Sequence, residues 1–170
     1  MLRALVPFLL LAAIVPSVAA ASPQHQFRDR SFGFALRYPN GWTLQRSIPP
    51  TKQITLVQSG HGQHAITVTV LNWRAGRTIA ASVKIVQRYM GAYRRVTWRA
   101  ARLGNQPARV AVLHPQTEGG VGVAEGIYLS QWKGKIYQVQ ISAYTSHPPK
   151  TVAAFPKVYR QILGTWRFIK

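Results

Sequence analysis

The chain has 170 residues and a formal charge of +19, from 22 Lys and Arg against three acids, Asp29, Glu118 and Glu125. So few carboxylates remove most groups that perform general acid–base chemistry, and the absence of cysteine excludes disulfides, thiolate catalysis and Cys-ligated zinc. A pI near 11.6 instead surrounds the molecule with a positive field, which attracts polyanions and speeds their association.

Met1-Leu2-Arg3 is a short basic lead, Ala4 to Val15 is apolar, and Pro16 to Ser22 offers small residues where a signal peptidase cuts. Residues 1–21 therefore read as a secretory signal peptide, the apolar stretch being short for a membrane span. No Cys follows it, which closes the lipoprotein route. The expected protein is exported, periplasmic or extracellular, with a flexible lead-in over 22–30 and one α+β domain over 31–170. Loss of Arg3 leaves 21 basic and three acidic residues, a mature charge of +18. Fifteen of the cations are Arg and seven are Lys. Arg presents a planar fork suited to phosphate and carboxylate, although a GC-rich genome produces the same bias. Scarce carboxylates also leave little stability to lose in acid, so adaptation to an acidic exterior is a second source of this composition.

Phe32 to Tyr38 alternates, with Phe32, Phe34, Leu36 and Tyr38 on one face, and predicts a half-buried strand. Pro39-Asn40-Gly41 is a turn into a second strand at Trp42. Gln53 to Gln58 and Ala65 to Trp73 are strands around the turn Ser59 to Gly62. A helix is predicted over Thr78 to Ala92, because Ile79, Val83, Val86, Met90 and Tyr93 fall on one stripe and Arg77, Lys84 and Arg88 on another. Val96 to Leu103 and Ala108 to His114 form a hairpin around Gly104 to Pro107. Gly122 to Trp132 and Ile136 to Ala143 form another around Lys133 to Lys135. A last helix occupies about Lys150 to Leu163, kinked at Pro156 or beginning regularly there. Thr165 to Ile169 closes the chain as a strand. This order predicts an α+β fold: an antiparallel β-sheet flanked by helices, as an α/β/α-type sandwich.

Four short motifs in this order carry a resemblance. Phe34-Ala35-Leu36-Arg37-Tyr38-Pro39-Asn40-Gly41-Trp42 resembles the opening strand and Tyr-Pro-x-Gly-Trp turn of the PsbP-like (Mog1/PsbP) superfamily. Leu103 to Ala108, Gly134 to Val139 and Ile162 to Phe168 resemble its middle hairpin, a later strand and its close. The resemblance spans about Phe27 to Lys170 and rests on residues that shape turns and packing, none of them chemical. It implies a non-enzymatic extracytoplasmic or organellar domain that binds other macromolecules, as in the extrinsic subunit of photosystem II. The extreme basicity departs from that pattern.

Catalytic constellations are weak. Glu118 and Glu125 stand seven apart across a Gly-rich loop, and nothing in the spacing brings them together as a hydrolase would need. Glu125 reads more simply as an ion-pair partner for an Arg on a neighbouring strand. Asp29 falls near the mobile lead-in, and no nucleophile elbow is present. His61 and His64 could contribute two ligands to a metal but lack a third, and read better as exposed loop histidines. Gly119-Gly120-Val121-Gly122 lacks the Lys and the helix of a phosphate loop, so no cofactor is expected. The strongest candidate is a basic surface of Arg77, Lys84, Arg88, Arg94, Arg95, Arg99 and Arg102. Trp73 and Trp98 lie nearby in sequence, either to stack on a ligand or to fill the core. The partner expected for that surface is an anionic macromolecule: membrane headgroups, a glycan, an acidic envelope protein, or nucleic acid bound without sequence preference.

Overall fold

The computed structural model describes residues 24–47, 52–58, 64–71, 78–89, 96–113, 122–145 and 150–170. Ten strands and two helices follow one another as β1 (Gln24–Asp29), β2 (Phe34–Pro39), β3 (Trp42–Arg46), β4 (Gln53–Gln58), β5 (His64–Leu71), α1 (Ile79–Tyr89), β6 (Arg99–Leu103), β7 (Gln106–Leu113), β8 (Gly122–Trp132), β9 (Lys135–Thr145), α2 (Lys157–Gly164) and β10 (Arg167–Phe168). A single 3-10 turn, Val152–Ala154, precedes α2. The strands make a seven-stranded sheet ordered β3-β4-β5-β9-β8-β7-β6 and a three-stranded sheet ordered β1-β2-β10, every pairing antiparallel. The architecture is the α+β one expected from the order of elements.

Alternation decides what each face of the large sheet meets. Ile54, Leu56, Ile66, Val68, Val139 and Ile141 point to one face, are fully buried, and share a core with the small sheet and α2. Leu113, Ile127, Leu129 and Ile136 point to the other face, where the stripe Ile79, Val83 and Val86 of α1 packs on them. Thr78 caps α1, its Oγ1 accepting from the Ala81 N–H at 3.2 Å, which satisfies one of the donors a helix start leaves free.

The small sheet is held by aromatic packing. Phe34 stacks on Trp166 at 4.1 Å, and Tyr137 meets both rings edge-on. The Tyr137 hydroxyl donates to the Phe32 carbonyl at 2.9 Å, and burial pushes its pKa up to about 12.

Several local expectations change. Residues 24–29, expected within a flexible lead-in, are the strand β1, paired along its length with β2 and anchored by buried Phe27. Asp29 is likewise fixed: it accepts from the Ser31 N–H and hydroxyl and pairs with Arg46 at 2.9 Å. The β6–β7 turn is only Gly104-Asn105, with Gln106 and Pro107 already in the strand, and β6 starts at Arg99 rather than Val96. Pro156 stands just before α2 with extended ψ, so the regular helix begins after it and the preceding residues make the 3-10 turn. The expected signal segment 1–21 and the turn Ser59 to Gly62 lie outside the described residues, as do Trp73, Met90 and Tyr93. Among the described residues no helix is long and apolar enough to cross a membrane.

One stability change follows from the end of α2. Gly164 is exposed, has no positive φ, and has nothing within 4 Å of the position a Cβ would take. Gly164→Ala is expected to stabilise the protein by about 0.5–1 kcal/mol, by reducing the freedom of the unfolded chain. A lower urea midpoint for this variant would contradict it.

Candidate anion-binding surface

The β6–β7 hairpin forms one end of the large sheet, and each of its faces borders a recess. On the face covered by α1, a groove of about 690 Å³ is lined by Thr78, Ile79, Val83, Lys84, Val96, Trp98 and Arg109, among others. Ile79, Val83, Val96 and Trp98 belong to the apolar cluster beneath α1, which gives the groove an apolar floor. Lys84 and Arg109 bring positive charge to it, both exposed. On the opposite face, a smaller pocket of about 190 Å³ is lined by Thr97, Arg99, Val110, Ala111, Val112, Lys150, Thr151 and Val152. Neither recess has a carboxylate among its described lining residues.

A glycine lies beside the smaller pocket. Gly126 lies in β8 next to Val112, and a Cβ there would meet Ile141 at 2.9 Å and Val152 at 3.6 Å. The bare backbone makes room for the Ile141 side chain, and the 3-10 turn packed beside it carries Lys150 and Thr151 alongside Arg99. No motif or spacing in the sequence singles out Lys150; only the return of the chain to this corner brings it there.

The four basic candidates among the described residues do not share one face. Lys84 and Arg88 are exposed on α1, and Lys84 lines the groove. Arg99 pairs in register with Val110 and points to the opposite face of the sheet. Arg102 braces its own turn, its Nη2 donating to the Asn105 carbonyl at 2.6 Å. Arg77, Arg94 and Arg95 lie outside the described residues. Trp98 is half-buried: it packs against the α1 cluster and also lines the groove.

The remaining candidates are placed differently from expectation. Glu125 is half-buried and accepts from Gln140 Nε2 at 2.7 Å; among the described residues no Arg pairs with it, because its face of β8 and β9 presents Gln140 and Ser142. Glu118 lies outside the described residues. His64 is not an exposed loop residue. It opens β5, meets the Tyr159 ring edge-on at 5.8 Å, and keeps its Nδ1 buried. His61 lies outside the described residues, and among those described no group of three or more His, Asp or Glu gathers as a metal site would require.

Burial raises the Glu125 carboxyl above its ordinary value of 4.5, and the Gln140 hydrogen bond opposes this only in part. The folded chain then holds that proton more tightly than the unfolded one, so stability falls as pH rises from 4.5 through the folded pKa. Glu125→Gln is expected to raise the thermal midpoint at neutral pH and leave it unchanged in acid. A midpoint lowered at neutral pH would show that the ionised form is the stabilising one.

Asp29 titrates in the opposite sense. The Ser31 hydroxyl leads the groups that hold its pKa below 3.8, with the backbone of Ser31 and Phe32 and the Arg46 charge adding to it against some desolvation. Its contribution is present above 3.8 and fades as pH falls through the lower folded value.

Among known proteins, no protein-family model matches the sequence, and no curated protein matches it. Solved structures do match. The cyanobacterial PsbP of Synechocystis superposes with a TM-score of 0.61 at 11% identity, over 89% of this chain and 95% of that one. The chain has the PsbP/Mog1 fold. The Ran-binding protein Mog1p of Saccharomyces cerevisiae gives a TM-score of 0.59 at 11% identity, over 88% of this chain and 97% of that one. A Bacteroides thetaiotaomicron protein matches 85% of this chain with a TM-score of 0.60 at 9% identity, but this chain spans only 48% of its length. The PsbP/Mog1 fold expected from the four motifs is therefore the fold observed. At these identities the likeness concerns architecture alone, and function has to be argued from the surface.

Proposed function

We propose that this protein is an exported, non-catalytic binding module that docks on an anionic partner in the cell envelope through the β6–β7 end of its large sheet. The observation that carries this reading is that both recesses at that end contain cations with no ion-pair partner among the described residues, and no described carboxylate. Charges lining a recess with apolar walls focus the field on an incoming anion more strongly than the same charges on a convex surface. Binding of this kind is sequence-nonspecific and weakens steeply with salt as counterion release is lost. The expected partners are phosphate-bearing lipid or glycan, an acidic protein, or extracellular nucleic acid.

Elution from heparin in a salt series tests the reading. Lys84→Gln/Arg109→Gln is expected to elute at clearly lower salt than Lys157→Gln/Arg160→Gln, which removes the same charge from exposed positions on α2. Equal shifts for the two variants would mean that retention reflects net charge and not a docking surface.

A second reading takes the module as an accessory to an envelope protein, with a composition suited to acid. It is favoured by the carboxylates themselves. Asp29–Arg46 is the one ion pair among the described residues, and Arg46 is well exposed, so protonation in acid removes little. Mog1p, which shares the fold, is a protein that binds another protein, Ran. Unchanged heparin behaviour together with clean capture of one acidic envelope protein at physiological salt would favour this reading.

A further inference from the structure

From the geometry we infer that the pocket between β6–β7 and the 3-10 turn is a seat for a single tetrahedral oxyanion, a phosphate or phosphate monoester, held between Arg99 and Lys150. This deepens the docking reading by giving one of the two recesses a ligand class. Arg99 reaches the pocket from the edge strand β6, and Lys150 from the segment entering the 3-10 turn, 51 positions later in the chain. Thr97 and Thr151 add hydroxyls to the same lining, and the Thr151 side chain makes no capping bond to the turn it precedes.

Three features argue for a ligand over two solvated charges. First, neither the Arg99 nor the Lys150 side chain has a hydrogen bond or ion pair with another described residue, although both residues line one recess. Two cations brought together repel, and an anion between them converts the repulsion into two charge-assisted hydrogen bonds. Second, Arg99 and Lys150 are themselves exposed, but half-buried Val110, Val112 and Val152 line the recess between them and give it an apolar wall that offers an anion no competing acceptor. Third, the volume of about 190 Å³ lies below the ~300–1,000 Å³ of pockets that take drug-sized molecules, which suits one small anionic group and not a whole nucleotide. The donor set is also right in kind: a planar guanidinium fork, a point-like ammonium and two hydroxyls together complement the several oxygens of a phosphate.

The test titrates inorganic phosphate into the isotope-labelled full chain and follows the backbone amide resonances. Saturable shifts are expected at Thr97, Arg99, Val110 and Thr151. Arg99→Gln and Lys150→Gln should each weaken binding roughly tenfold, as the loss of one charge-assisted hydrogen bond does. Lys157→Gln, with the same loss of charge on α2, should leave it unchanged. Spectra that otherwise overlay the parent confirm that each variant is folded. Sedimentation with phosphatidylcholine vesicles, with and without phosphatidic acid, separates the sources. Binding that needs both phosphatidic acid and Arg99 assigns the seat to a lipid monoester, and saturation by inorganic phosphate alone assigns it to a free anion. Shifts that do not saturate, or an equal weakening by Lys157→Gln, overturn the seat. If the seat fails while heparin retention still depends on Lys84 and Arg109, the docking reading stands without it; the reverse result separates them the other way.

Discussion

Trp166→Ala is expected to lower the free energy of unfolding by about 3–5 kcal/mol, the range for removing a large buried aromatic ring. Trp166 is completely buried, lies flat on Phe34 at 4.1 Å, and meets Tyr137 and Phe168 edge-on. It therefore ties the small sheet to the large one, and its truncation opens a cavity where the two meet. Against a total stability of about 5–15 kcal/mol, such a loss is a large fraction. Trp166→Phe keeps a ring on Phe34 and removes a buried indole N–H that has no acceptor among the described residues, so its loss should be much smaller. Urea unfolding followed by circular dichroism measures both. Equal losses for the two would mean that the aromatic stack is not what holds the sheets together.

The same residue makes the second large effect. Gly104, in the β6–β7 turn, has a φ of +57°, and a Cβ there would lie 2.9 Å from the Trp166 carbonyl oxygen and 3.1 Å from its ring. Gly104→Ala thus meets two penalties, a left-handed backbone that costs an L-residue about 1–2 kcal/mol and a clash with backbone that cannot swing aside. Gly134, in the β8–β9 turn, has a φ of +72° and nothing within 4 Å. Gly134→Ala meets the first penalty alone. The difference between their urea midpoints isolates the clash, and Gly104→Ala should be the worse of the two. If they match, the close approach of the turn to Trp166 does not constrain the hairpin. Because this hairpin carries Arg99 and Arg109, the same variant should also weaken heparin retention by disturbing their setting.

Much of the fold is legible along the chain, for a definable reason. In β5, Ile66, Val68 and Val70 alternate with Ala65, Thr67 and Thr69, and a period of two can only be satisfied by a strand with one face in the core. In α1, Ile79, Val83 and Val86 repeat at helical spacing and bury the stripe that spacing predicts. β1 is not legible in this way, because its sequence, QHQFRD, holds one apolar residue, Phe27, and so shows no periodicity. Its strand depends on the hydrogen bonds of β2 and on the rings of Phe32 and Phe34. The setting of His64 escapes the sequence for a similar reason: it follows a Gly-containing stretch of sequence, and the Tyr159 ring that covers it is 95 positions away.

The candidate surface is legible in kind but not in arrangement. Charge is a property of composition, so the amino-acid sequence alone determines that this protein is cationic, nearly free of carboxylates and without cysteine chemistry. Side-chain alternation is also local, and the odd spacing of Arg99 and Arg102 by itself puts them on opposite faces of one strand. Which face α1 covers is not local: it depends on the pairing of β7, β8 and β9 and on which of their faces lacks the small sheet. Only the tertiary structure therefore separates Lys84 from Arg99, gives Arg102 to its own turn, and joins Arg99 to Lys150 across a long separation in the chain. Such partners are chosen by the packing of the whole core, and no short stretch of sequence contains that information.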